Sequence, residues 1–130
     1  MVPRTHTRID PTLCGHITSM EPGRATVVLT TTDVMAADAH GLVHGGFIFG
    51  AADYAAMVAV NEPNVVLVAS EVRFTAPVRV GEVVHCTAEI GPRNGRKTLV
   101  EVRCTVGSKA VLSGQLTTAV LDQHVLTPRS

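Results

Sequence analysis

Three residues in a row, His44-Gly45-Gly46, precede a lone carboxylate, Asp53, that lies nine positions past the histidine. Two glycines opening a helix would present N–H groups that no side chain obstructs. The helix dipole would add partial positive charge there, which suits a developing oxyanion. Asp53 is the only formally charged side chain between Gly41 and Val60. An unpaired acid in an apolar, alanine-rich segment costs several kcal/mol unless it is hydrogen-bonded, paired or protonated, so retention for chemistry is favoured over retention for packing. The duller reading is a structural carboxylate at a subunit contact. Aligned donors facing an anion are what acyl transfer needs, with the carbonyl polarised on one side and water or a carboxylate nucleophile delivered from the other. His44 reads equally as an ordinary capping or core histidine and as a direct catalytic residue, and is assigned a positioning role.

The elements that must hold these residues follow from periodicity and breakers. Gly45 to Asn61 is rich in alanine and free of proline until Pro63, which predicts a helix. Its near-absence of charge predicts that other elements wrap it on most sides. Ahead of it, Cys14 to Met20 and Arg24 to Thr31 flank the turn Glu21-Pro22-Gly23 and read as a hairpin, and Thr32 to Val43 reads as an irregular stretch. After Pro63, the segments Val65 to Thr75, Val83 to Ile90, Thr98 to Val106 and Ala110 to Leu121 read as an antiparallel meander. Val100, Val102, Cys104 and Val106 alternate with Glu101, Arg103 and Thr105, the pattern of a sheet with one covered face. The long helix is the available cover. The expected fold class is therefore α+β, a curved antiparallel sheet around one central helix.

That helix sets a geometric constraint. From His44 to Asp53 the rise is about 13 Å, so one chain cannot easily place the glycines and the carboxylate around a single carbonyl. Two helices packed antiparallel about a twofold axis can, giving two equivalent sites per dimer.

Composition bounds the alternatives. The chain has 130 residues, with 11 Lys plus Arg balancing 11 Asp plus Glu, and is 45% hydrophobic and 17% charged. This describes one folded domain over 1–130, with a core from about 12 to 121 and polar tails. Neutral charge and only four aromatics, Phe47, Phe49, Tyr54 and Phe74, argue against a nucleic-acid partner. The apolar run is too short for a bilayer and is interrupted by Asp53, which argues against a membrane span. Cys14, Cys86 and Cys104 have no CxxC spacing and read as reduced thiols of a cytoplasmic protein; no metal site is expected. The opening MVPRTHTRIDP is too polar for a signal peptide.

Gly41-Leu42-Val43-His44-Gly45-Gly46, then Asp53, then Pro77-Val78-Arg79-Val80-Gly81-Glu82, resembles the hotdog-fold acyl-CoA thioesterases. The branch most like it includes the phenylacetyl-CoA and 4-hydroxybenzoyl-CoA enzymes, and the likeness covers about residues 12 to 121. The resemblance implies hydrolysis of an acyl-CoA thioester to an acid and free coenzyme A. It implies a homodimer or dimer of dimers, with Gly45, Gly46 and His44 at the carbonyl and Asp53 contributed by the facing subunit. No cofactor is implied beyond the coenzyme A carried by the substrate. Two departures stand out. The family often carries Asn or Gln six residues before the histidine, where this chain has Asp38. Where some relatives place a Ser or Thr to hold water, counting back from Pro77 gives Leu67, with Ser70 three residues on. Arg93, Arg96 and Lys97, around the turn Gly91-Pro92-Arg93-Asn94-Gly95, suit the phosphates of coenzyme A or equally a solvated hairpin. Phe47, Tyr54, Met57 and Phe74 suit an apolar acyl tunnel or ordinary core. The competing readings are a non-catalytic acyl-CoA sensor and a hotdog hydratase or dehydratase.

Overall fold

The structure, a computed structural model, describes residues 1–128. In chain order it contains α1 (Pro11–Cys14), β1 (His16–Glu21), β2 (Arg24–Thr30), a 3-10 turn (Asp33–Met35), α2 (Gly45–Val60), β3 (Val65–Phe74), β4 (Val83–Asn94), β5 (Lys97–Val106) and β6 (Lys109–Val120). The strands form one six-stranded antiparallel sheet in the order β1-β2-β4-β5-β6-β3, with α2 packed on its inner face. This is the hotdog arrangement that the resemblance implies.

Alternation along each strand delivers the inner face. Val27 and Leu29 of β2, Val84, Cys86 and Ala88 of β4, Val100 and Cys104 of β5, and Leu112 and Leu116 of β6 are all buried. They meet Ile48, Ala51, Ala52 and the run Tyr54 to Ala59 of α2. A helix apolar on nearly every side needs such a wrapping, and its alanines let the sheet come close. Cys86 and Cys104 are cross-strand partners within this core and remain free thiols. The helix ends at Asn61, whose left-handed backbone, φ 52°, sends its N–H to the Met57 carbonyl at 2.8 Å.

One expectation is corrected. The four segments after Pro63 are not a continuous meander: β4, β5 and β6 are, but β3 crosses to the far edge and pairs with β6. The reason lies in the 75–82 connection, which is tied to the far side of the molecule. Val43 N–H donates to Val78 O at 2.8 Å and Val80 N–H to Gly41 O at 2.8 Å, while the buried Thr31 hydroxyl donates to Glu82 O at 2.7 Å. The chain is thereby handed to β2, and β4 starts there. Smaller differences are the short α1, which takes Cys14 out of the extended segment expected from Cys14 to Met20, and the extension of β4 past Ile90 to Asn94 across a register shift.

Candidate functional site

The glycine end of α2 is set by the loop before it. Ala37 N–H donates to Leu42 O at 2.7 Å and His44 N–H to Met35 O at 2.8 Å, and Gly41 takes φ 81° where the loop turns. These bonds, with the two to 78–80, fix the first helical turn against the sheet. Gly45 and Gly46 open the helix, so their N–H groups have no intrahelical carbonyl to reach. A Cβ on Gly46 would lie 3.0 Å from His44 Nε2 and one on Gly45 3.3 Å from Phe74 Cε1. The imidazole thus lies beside Gly46 and the Phe74 ring beside Gly45. A cleft of about 350 Å³ opens at Gly45, with walls that include Leu42, Ile48, Phe74 and Pro77. Phe74 is 53% exposed.

Asp53 lies on the same helix, about two turns further on, and does not line this cleft. Its Oδ1 is buried with no hydrogen-bond partner among the described residues. Burial pushes its carboxyl up to about 6, because no cation or donor offsets the lost solvation. The half-buried Cys14 thiol is pushed up by desolvation and further by the charges of Asp10 and Asp53. Sequence reasoning missed Cys14 as a neighbour of Asp53, because it sits 39 positions earlier, at the end of α1.

The other singled-out residues separate. Asp38 is exposed, and its Oδ1 accepts from the backbone N–H of His40 at 2.9 Å and of Leu42 at 3.3 Å, so that oxygen is occupied in shaping the loop. Phe47 is half-buried, with its ring edge-on to His44 at 6.1 Å between centroids. Met57 is fully buried core, and Tyr54 is buried with its ring stacked on His6 at 6.3 Å. Leu67 and Ser70 lie on β3; Ser70 is exposed and pairs in register with Leu116. In the β4–β5 hairpin Arg96 is ion-paired with Asp122 at 2.6 Å and Arg93 donates to Gly95 O at 3.3 Å, whereas Lys97 makes no ion pair among the described residues.

Residues 40–112 match the sequence profile of the thioesterase superfamily. The chain belongs to that superfamily. Among curated relatives, it is 47% identical over 118 residues to a protein of Aquifex aeolicus named methylthioribose-1-phosphate isomerase, covering 91% of this chain and 26% of that protein. It is 25% identical over 117 residues to the transcription factor FapR of Caldanaerobacter subterraneus, covering 89% of this chain and 58% of FapR. This thioesterase-superfamily chain therefore spans about a quarter of the first and somewhat over half of the second. Among solved structures, PH1136 of Pyrococcus horikoshii is 48% identical with a TM-score of 0.94, covering 98% of this chain and 100% of that one. The PaaI protein of the Escherichia coli phenylacetic acid degradation operon is 25% identical with a TM-score of 0.78, covering 86% and 83%. No described helix is long and apolar enough to cross a membrane.

Proposed function

We propose that this chain is an acyl-CoA thioesterase whose site is completed by a second copy. The observation that carries the reading is Asp53, a carboxylate with a buried, unpartnered oxygen and a proton affinity raised toward neutrality by desolvation alone. It shares a helix with the open amides of Gly45 and Gly46. The free edge of β3 supports the assembly: a ten-residue outer strand carrying Val68, 49% exposed, is a surface that a twin strand can extend. Pairing there about a twofold axis brings two α2 helices side by side and antiparallel, with the glycine end of each toward the other's Asp53.

In that arrangement the thioester carbonyl lies at Gly45, with the acyl chain in the cleft beside Phe74. The amides and the helix end stabilise the oxyanion, and His44 orients the turn. Asp53 of the facing copy takes a proton from water as the water oxygen bonds to the acyl carbon. The C–S bond then breaks, and the thiolate of coenzyme A leaves and is protonated. The reaction consumes only water and thioester and calls for no cofactor. Arg93 and Lys97 at the β4–β5 hairpin are the candidates for the phosphates of coenzyme A, with Arg96 partly spent on Asp122.

The test follows free thiol release from a panel of aryl, short and medium acyl-CoA esters. Wild type turns over, and Asp53→Ala loses on the order of a hundredfold or more, the scale of removing a transition-state group. Tight acyl-CoA binding without turnover would transfer the assignment to a non-catalytic binding or sensing protein. Hydration of an enoyl-CoA without thiol release would transfer it to a hydratase.

A further inference from the structure

The cleft at Gly45 offers little to a polar group. Its floor comes from three separate segments: Val43 of the loop before α2, Ile48 of the first helical turn and Val78 of the 75–82 connection, which are 3%, 4% and 1% exposed. Leu42 and Phe74 are far more exposed and border its mouth. No charged side chain lines the cleft among the described residues, and its one side-chain hydroxyl, on Thr75, gives its proton to Ala110 O at 2.8 Å. The N–H groups of Val43 and Thr75 are committed as well, to Val78 O at 2.8 Å and Val111 O at 2.9 Å. The phenol of Tyr54 does not line the cleft, and its ring stacks on His6 instead. A hydroxyl or carboxylate entering this cleft gives up its hydrogen bonds to water and meets few in exchange, whereas methylene and ring carbons gain by leaving water.

We infer that the acyl group taken at this cleft is neutral and unsubstituted, carrying neither a hydroxyl nor a second carboxylate at its far end, and that the wall of Leu42, Val43, Ile48 and Val78 makes the selection. This deepens the thioesterase reading and rests on its placement of the acyl chain at Gly45. An apolar wall discriminates mildly against an added hydroxyl, by about ten- to a hundredfold, because the group loses water without clashing. It discriminates more strongly against a carboxylate, by about a hundredfold or more, because a charge loses far more solvation than a hydroxyl. The facing copy brings Asp53 to the carbonyl and not to the far end of the acyl group, so selection at that end falls to the walls described here.

The test compares matched pairs of coenzyme A esters: phenylacetyl with 4-hydroxyphenylacetyl, and hexanoyl with its six-carbon dicarboxylic counterpart. In the first pair a methylene insulates the thioester from the ring hydroxyl, so the two differ little in intrinsic reactivity. Thiol release gives kcat/KM on the full chain, and calorimetry on Asp53→Ala gives the dissociation constants. The unsubstituted member of each pair should be favoured by the factors above, in turnover and in binding alike. Val78→Thr, nearly isosteric, puts a hydroxyl on the floor, and Leu42→Asn puts an amide at the exposed mouth, where folding is least at risk. At least one of them should narrow the preference against the hydroxylated ester about tenfold. Failure to release thiol from any ester would end the hydrolase reading, while the same preference in binding would still uphold the selectivity of the cleft. Equal treatment of both members of the pairs, or a preference for the substituted ones, would overturn the inference and leave the hydrolase reading standing wherever thiol is released. A preference that neither substitution moves would overturn it as well, because the acyl end would then lie against other walls. Binding of none of the four esters would overturn both.

Discussion

At the residue scale the Asp53 carboxyl decides both activity and stability. With its affinity pushed up to about 6, it is mostly ionised at pH 8 and mostly protonated at pH 5. A group that accepts a proton from water works only when ionised, so kcat/KM should rise with pH through about 6 and level off, and a pH series on a reactive acyl-CoA reads it directly. An activity that stays flat from pH 5 to 8 would take Asp53 out of that role. Stability runs the other way. The folded chain holds this proton up to about pH 6, whereas the unfolded chain releases it near 3.8, so folding loses stability as pH rises between those values. A shift of about two units corresponds to up to about 3 kcal/mol, fully developed above pH 6. Asp53→Asn should therefore melt higher than wild type at pH 8, with the difference closing toward pH 4, while losing turnover. Differential scanning calorimetry at both pH values separates this from general damage, which would lower the melting point at either pH.

At the element scale the first turn of α2 is the part to perturb. Alanine at position 46 favours the helix over glycine by up to about 1 kcal/mol, yet its Cβ would fall 3.0 Å from His44 Nε2 and displace the imidazole. Gly46→Ala should keep or raise the melting temperature and lower kcat about tenfold; a loss of stability together with activity would mean that the turn itself had failed. This helix was legible in the sequence because its composition changes at both ends: glycines open it, Asn61 and Pro63 close it, and Asp53 breaks a run otherwise free of charge. The order of the strands was not legible. Alternation says which residues face the core but not which strand lies next to which. That order depends on bonds such as Val43 N–H to Val78 O, which join two segments whose residue types do not say that they meet. The helix α1 was hidden for a different reason. Its signal was present, with Asp10 accepting from the Thr12 N–H at 2.9 Å and proline at the first helical position, but four residues give no periodicity to read. In the candidate site, the glycines and Asp53 stood out, whereas Cys14 beside Asp53 and the walls around Phe74 depend on the fold alone.

At the scale of the whole molecule the reading requires that neither chain own a complete site. Gly45 and Asp53 lie on one rigid helix, about 12 Å apart along its axis, and the cleft at Gly45 is lined without Asp53. Two defects placed on different chains should therefore complement. A homodimer of Asp53→Asn lacks the carboxylate at both sites, and a homodimer of Gly45→Trp has both carbonyl positions blocked, so each alone should be nearly inactive. When the two are unfolded together and refolded at equal concentration, about half of the dimers are mixed. In each mixed dimer the tryptophan chain lends its intact Asp53 to the intact Gly45 of the other. One of its two sites then works, and total activity should return to roughly a quarter of the wild-type value. A site built within one chain gives no such recovery, because every chain in the mixture carries its own defect. The measurement is thiol release before and after exchange, with mass spectrometry confirming mixed dimers. Mixed dimers without recovered activity would place Asp53 and Gly45 in separate roles and remove the shared site.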